Sequence, residues 1–131
     1  MQLIPLELLA PARNKDIGIA AIDCGADAVY IAGPAFGARE AASNPVSDIA
    51  VLAEYAHRFG VRVYATVNTL LYPEELQQAT EMIWDLSRAG VDAILVQDFQ
   101  LLKQQLPAIE LHASTQAVCR TPEQAAALEA L

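Results

Sequence analysis

Three arginines in this 131-residue chain, Arg13, Arg39 and Arg120, follow short apolar segments that are typical of β-strands. The planar guanidinium group of arginine forms paired hydrogen bonds with a carboxylate or a phosphate. The chain has only eight Lys and Arg residues and a formal net charge of −8, which argues against a general basic surface for nucleic acid. The three arginines therefore indicate a local site for an anionic group.

Uncharged polar residues that follow the third, fourth and fifth predicted strands extend this site. We predict that substrate binding involves the three arginines together with Asn68, Gln97, Ser114 and Gln116. His112 and Asp98 are the candidates for catalysis, because imidazole and carboxylate groups transfer protons near neutral pH. Two alternatives stay open: His112 is a packed strand residue, and Asp98 caps a helix.

Other kinds of catalytic site have less support. Ser114 lacks both the G-x-S-x-G turn and a recognisable pair of partners for a serine nucleophile. Cys24 and Cys119 are the only two cysteines, and neither belongs to a C-x-x-C or Cys/His cluster. We therefore predict two free thiols and no metal site.

A repeated unit of helix, glycine and apolar strand positions these residues. Gly25, Gly60 and Gly90 are 35 and 30 residues apart, and each separates a helical pattern from a β-branched or aromatic run. Helices are predicted between the strands and from Thr121 to the C-terminus. The predicted strands comprise residues 6–10, 28–32, 62–67, 93–96 and 109–113.

This order predicts an α/β fold with a parallel sheet, in a single domain spanning residues 1–131. A doubly wound sheet and the first five units of a TIM-like barrel, incomplete, both fit the pattern. The loop at residues 11–14 is not a G-x-G-x-x-G turn, which favours the barrel. In a barrel, the active site lies at the C-terminal ends of the strands, where the polar residues occur. Asp27 and Asp92, at the opposite ends, are expected to anchor strand starts.

Composition narrows the class of protein further. Hydrophobic residues make up 54% and charged residues 18% of the chain, which is typical of a folded domain. No apolar run reaches the length of a membrane span, and the N-terminus has no basic segment of a signal peptide. We therefore expect a cytoplasmic protein without a membrane partner.

An ordered series of short motifs resembles the start of peptidase family U32, the collagenase-like proteases. The likeness is greatest to the branch that hydroxylates a cytidine of large-subunit ribosomal RNA. The motifs are ELLAPAR at 7–13, GADAVYI at 25–31, GPAFGAR at 33–39, NTL at 68–70, GVDA at 90–93, VQD at 96–98 and LHASTQ at 111–116.

The resemblance implies a TIM-like barrel and an N-terminal fragment of a longer enzyme, inactive by itself. It also implies RNA or an anionic small molecule as partner of the full-length protein. Full-length relatives are linked to prephenate and to an iron–sulfur cluster. Cys24 and Cys119 do not match the cluster cysteines, so we expect no cofactor on this segment alone. The alternatives are a peptidase and a non-catalytic half-barrel that forms homo-oligomers through open strand edges.

Overall fold

One parallel sheet organises the molecule. The structure, a computed structural model, describes residues 6–38 and 43–131. Its five strands follow one another across the sheet in sequence order, which confirms the predicted parallel α/β arrangement. The strands are β1 (Leu9–Ala12), β2 (Ala28–Ala32), β3 (Arg62–Val67), β4 (Ala93–Val96) and β5 (Glu110–Ala113).

Helices connect the strands and cover one face of the sheet. Asn14 caps α1 by accepting a hydrogen bond from the Ile17 amide, and Thr121 caps α4 by accepting one from the Gln124 amide. The connection after β4 is a 3₁₀ helix, Phe99–Lys103. The α-helices are α1 (Lys15–Asp23), α2 (Val46–Arg58), α3 (Leu76–Arg88) and α4 (Pro122–Glu129).

The predicted position of the first strand, residues 6–10, is wrong. β1 comprises Leu9–Ala12 and includes Pro11, which is paired in register with Tyr30. Proline is tolerated here because β1 is an edge strand, with a partner strand on one side only in the described part of the chain. The sequence pattern places the end of the strand before Pro11, because proline usually terminates a strand inside a sheet.

Glycines and aspartates fix the N-terminal ends of the strands. Gly25, Gly60 and Gly90 have φ values of 97°, 70° and 90°, a backbone region in which glycine is the least strained residue. The Asp27 carboxylate accepts a hydrogen bond of 2.8 Å from the Leu8 amide, and Asp92 accepts one of 2.7 Å from the Val63 amide. Both aspartates therefore anchor strand starts, as predicted.

The two faces of the sheet differ in chemistry. The face under the helices is the apolar core, in which Ile31, Val63 and Ile94 are fully buried. The other face, which we call the inner face, carries a smaller buried group of Ala28, Tyr64 and Ala93 with Tyr30 and Leu95 beside it. Among residues 6–38 and 43–131, no helix has the length and apolar character needed to cross a bilayer.

Candidate functional site

A cavity of about 410 Å³ lies where the strands end at their C-terminal edge. Strand residues Tyr30 and Thr66 line it from the sheet, and Arg13, Asn68 and Gln116 line it from three different loops. We call this space the mouth cavity. The structure therefore brings together three of the residues that the sequence assigned to substrate binding.

Arg13 is the described arginine that faces the mouth cavity. It directly follows β1 and is exposed, and its guanidinium forms no hydrogen bond or ion pair within residues 6–38 and 43–131. Arg120 is also exposed, but it is not among the residues that line this cavity. Arg39 lies outside the described residues. One of the three predicted arginines is thus placed at the cavity with its charge available.

Asn68 connects three of the loops around the mouth cavity. Its side-chain Oδ1 accepts a hydrogen bond of 2.9 Å from the Ala38 amide, and its Nδ2 donates one of 3.1 Å to Ser114 Oγ. Its backbone N–H donates to the Phe36 carbonyl at 2.9 Å. Since both polar atoms of the side chain are engaged, Asn68 holds the loops after β2, β3 and β5 in place.

Ser114 is the buried partner in this network. Only 5% of the residue is exposed, and its Oγ also accepts a hydrogen bond of 3.3 Å from the Gln116 amide. This second contact caps the short helix Thr115–Ala117 and directs the exposed Gln116 toward the cavity. Gln97 is half-buried directly after β4. Substrate contacts by Ser114 and Gln97 stay predictions.

Asp98 uses both carboxylate oxygens to accept hydrogen bonds from backbone amides. Oδ1 accepts from Gln100 at 2.9 Å, and Oδ2 accepts from Leu71 at 3.0 Å. The first contact caps the helix Phe99–Lys103, and the second joins it to the loop after β3. This is the helix-capping alternative stated for Asp98; a catalytic role stays a prediction.

His112 lies on the inner face and contacts Glu110. Its Nε2 is 2.7 Å from Glu110 Oε1, and its ring meets the Tyr64 ring edge-on, with centroids 5.0 Å apart. Glu110 is the first residue of β5, so it lies at the N-terminal ends of the strands, whereas the mouth cavity lies at their C-terminal ends. His112 is therefore a packed, hydrogen-bonded strand residue, and its role in proton transfer stays a prediction.

A charged cluster on the inner face was missed by the sequence analysis. Arg62 donates a hydrogen bond to Glu110 and lies over the Tyr64 ring at 5.1 Å, and the Tyr64 hydroxyl donates to Glu7 at 2.7 Å. The signal was present in the alternation of polar residues along two strands. Arg62, Tyr64 and Thr66 alternate in β3, as Glu110, His112 and Ser114 do from β5 onward.

Packing and hydrogen bonds shift the acidities within this cluster. Burial, followed by the hydrogen bond to Glu7, raises the pKa of Tyr64 to about 12. The hydrogen bond from His112, followed by that from Arg62, lowers the pKa of the Glu110 carboxyl. The hydrogen bond to Glu110 raises the pKa of Arg62. The cluster therefore contains an ionised Arg62–Glu110 pair beside a neutral phenol at neutral pH.

The cysteines do not fit a cluster-binding site. Cys24 ends α1 near the start of β2, whereas Cys119 follows the C-terminal end of β5, so they belong to opposite edges of the sheet. Both are free and exposed. In the part of the chain that the structure describes, no three His, Cys, Asp or Glu side chains form a potential metal site. An iron–sulfur cluster needs several thiolates at one place.

Comparison with known proteins relates the chain to a described family. A model described as peptidase family U32 matches residues 13–131. The chain is 54% identical over 120 residues to the 23S rRNA 5-hydroxycytidine C2501 synthase of Escherichia coli (strain K12), covering 92% of this chain and 18% of that protein. It is 35% identical over 114 residues to tRNA hydroxylation protein P1 of Bacillus subtilis (strain 168), covering 84% and 27%.

A third relative is named as a protease and not as an RNA-hydroxylating protein. The chain is 33% identical over 119 residues to a collagenase of Porphyromonas gingivalis (strain ATCC BAA-308 / W83), covering 88% of this chain and 29% of that protein. The chain thus spans between 18% and 29% of the length of these three relatives.

Two solved structures share the fold. The U32 peptidase Mk0906 matches with a TM-score of 0.69 and 15% identity, over 99% of this chain and 58% of that one. Phosphonopyruvate hydrolase matches with a TM-score of 0.64 and 19% identity, over 95% and 51%. These likenesses concern the fold alone, and they confirm the prediction of five units of a TIM-like barrel.

Proposed function

The chain belongs to peptidase family U32, and on that premise we propose that it forms the barrel part of a protein that hydroxylates a cytidine of ribosomal RNA. The observation that carries the proposal is the 54% identity, over 92% of this chain, to a protein named as a synthase of 5-hydroxycytidine in 23S rRNA. Such a protein would act in the cytoplasm, as the sequence analysis expects.

The mouth cavity is the proposed binding site for an anionic group, either a small carboxylate or an RNA phosphate. Arg13 supplies the positive charge, and its guanidinium has no partner among the described residues. The exposed Gln116 amide supplies neutral hydrogen bonds from the opposite side of the cavity. The hydrogen bond between Asn68 and Ser114 helps to hold the segment that carries Gln116 in place.

Arg120 is proposed to act outside the cavity. It is exposed on the loop after β5, the loop that also carries Gln116, which suits contact with a phosphate of a bound RNA strand. No redox step is assigned to this chain, because Cys24 and Cys119 lie at opposite edges of the sheet. A cluster in the full-length protein would be held by residues elsewhere.

A peptidase is the second candidate, since the relative from Porphyromonas gingivalis is named a collagenase. The environment of Ser114 disfavours it. Ser114 Oγ contacts Asn68 Nδ2 and the Gln116 amide, while the His112 Nε2 is 2.7 Å from Glu110. A serine nucleophile requires a base within hydrogen-bond distance of its hydroxyl. Hydrolysis of gelatin by the full-length protein, lost in Ser114→Ala, would favour the peptidase.

Complementation with arginine variants tests the proposed function and its site together. In a strain that lacks the gene, a wild-type copy and Arg88→Gln should both restore 5-hydroxycytidine in 23S rRNA. Arg88 is the matched control because it is an exposed arginine that pairs with Asp85 on α3. Arg13→Gln should restore less than a tenth of the modification, and full restoration by this variant would contradict the assignment of Arg13.

A further inference from the structure

A second cavity, of about 510 Å³, lies beside the mouth cavity at the same edge of the sheet. The loops after β2 and β3 enclose it, and we call it the outer cavity; Phe36, Leu70, Tyr72 and Glu75 line it. Phe36 and Gly37 face the outer cavity, whereas the next residue, Ala38, faces the mouth cavity. One short loop segment therefore separates the two spaces.

The outer cavity presents apolar and aromatic side chains to solvent. Leu70 is 72% exposed and Tyr72 is 70% exposed, although Leu71 between them is buried. Exposed large apolar side chains grouped beside a cavity are typical of binding surfaces. The ring of Tyr72 is thus available to stack on a planar ligand.

Phe36 adds a second aromatic ring, held in an uncommon backbone conformation. Its φ is 57°, a value that costs energy for a bulky residue and is found most often at functional sites. The Phe36 carbonyl accepts hydrogen bonds from the Asn68 amide at 2.9 Å and from Thr69 Oγ1 at 3.3 Å. The loop after β3 therefore holds Phe36 in the conformation that places it in the cavity wall.

Among the described residues, the outer cavity is lined by a carboxylate and the mouth cavity by Arg13, so the two cavities suit different ligands. Glu75 is the carboxylate in its lining, and its Oε2 accepts a hydrogen bond of 2.8 Å from the Tyr72 amide. Its Oε1 has no partner among the described residues. A carboxylate repels phosphate and accepts N–H groups, so the cavity suits a neutral planar ligand that donates hydrogen bonds.

We infer that the outer cavity binds an unpaired nucleobase with an exocyclic amino group, from an RNA strand whose backbone phosphate binds Arg13 in the mouth cavity. The inference rests on the proposed function. The exposed Tyr72 ring provides the stacking surface, the partly buried Phe36 forms part of the cavity wall, and Glu75 accepts a hydrogen bond from the amino group. The segment of residues 36–38 spans at most about 10 Å, so neighbouring nucleotides of one strand reach both cavities. Proteins recognise unpaired bases by this combination of stacking and edge contacts.

The test is the affinity of the full-length protein for a fluorescently labelled, single-stranded RNA oligonucleotide, measured by anisotropy. Tyr72→Ala should weaken binding about tenfold, the usual effect of removing one base–aromatic stack, and Tyr72→Phe should keep the wild-type affinity. Phe59→Ala is the matched control, because Phe59 is 62% exposed at the other edge of the sheet, where α2 ends. It should bind as the wild type does.

Base preference tests the role of the carboxylate. Wild-type protein should bind oligocytidylate more tightly than oligouridylate, and Glu75→Gln should reduce this preference at least threefold while keeping the cap on the Tyr72 amide.

Free cytidine monophosphate should compete poorly with the oligonucleotide, since it lacks neighbouring nucleotides. Competition equal to that of the oligonucleotide would overturn the assignment to an RNA strand. Wild-type affinity in Tyr72→Ala, or equal weakening in Phe59→Ala, would also overturn the inference. Loss of 5-hydroxycytidine on gene deletion tests the proposed function separately.

Discussion

Asn68 Nδ2 donates a hydrogen bond of 3.1 Å to Ser114 Oγ, across 46 positions of sequence. The contact joins the loops that follow β3 and β5, on either side of β4. Through its Oδ1, the same side chain also holds the Ala38 amide of the loop after β2. The shape of the mouth cavity therefore depends on one amide group that the sequence analysis assigned to substrate binding.

Asn68→Ala should lower the free energy of unfolding by about 2 kcal/mol, because it removes two hydrogen bonds and leaves the buried Ser114 hydroxyl with the Gln116 amide as its one remaining partner among the described residues. Ser114→Ala should cost less, since the Ala38 contact remains. Urea unfolding of both single variants and the double variant gives the coupling between the two residues. Additive losses would mean that the hydrogen bond contributes no coupling energy.

Asp98→Asn should destabilise the protein by about 1–3 kcal/mol. The substitution replaces one of two accepting oxygens by an amide group that faces a backbone N–H of Gln100 or Leu71. Urea unfolding measures this loss. Unchanged stability together with lost RNA hydroxylation would instead establish Asp98 as a catalytic group.

Ionisation of Glu110 should make the free energy of unfolding depend on pH in the acidic range. Its pKa in the folded protein is lowered from 4.5 by His112 and Arg62, so the unfolded chain binds more protons as the pH falls. Above pH 4.5, the free energy of unfolding of the wild type should exceed that of Glu110→Gln by its full amount. This difference should disappear as the pH falls through the lower pKa that Glu110 has in the folded protein. Urea unfolding at several pH values measures it, and an advantage independent of pH would contradict the ion-pair assignment.

The 131-residue chain should self-associate through its strand edges. In the described residues, β1 and β5 each have a partner strand on one side only, and α4 has no buried residue. Leu9, which is 41% exposed on β1, lies at one of these edges. Light scattering at micromolar concentration should give a dimer or larger species, and Leu9→Lys should shift it toward the monomer. A monomeric wild-type chain would show that neither edge pairs.

Local sequence signals predicted the framework of the fold well. The bounds of β2, β3 and β4 agree with the prediction, because each strand follows a glycine that ends a helix and an apolar run of clear length. β5 begins at Glu110, one residue later than predicted, and β1 differs more because Pro11 is accommodated at the sheet edge. Whether a strand lies at an edge depends on the pairing of distant segments, which a local pattern does not contain.

The site was predicted less completely, for a related reason. Arg13, Asn68 and Gln116, which follow different strands, line one cavity in the structure, and their role in substrate binding stays a prediction. Their roles depended on partners far away in sequence: Asn68 is engaged by Ala38 and Ser114, whereas Arg13 has no partner among the described residues. Tyr72, which lines the outer cavity, was missed because an aromatic residue in a loop has no distinctive spacing.

The central claim, that the chain is part of a ribosomal RNA cytidine hydroxylase, is tested most directly by the amount of 5-hydroxycytidine in 23S rRNA. Mass spectrometry of nuclease digests compares the parent strain with a strain from which the gene has been deleted. We predict that the modification is lost on deletion and returns when the wild-type gene is restored. An equal amount of 5-hydroxycytidine in the parent and deletion strains would contradict the claim.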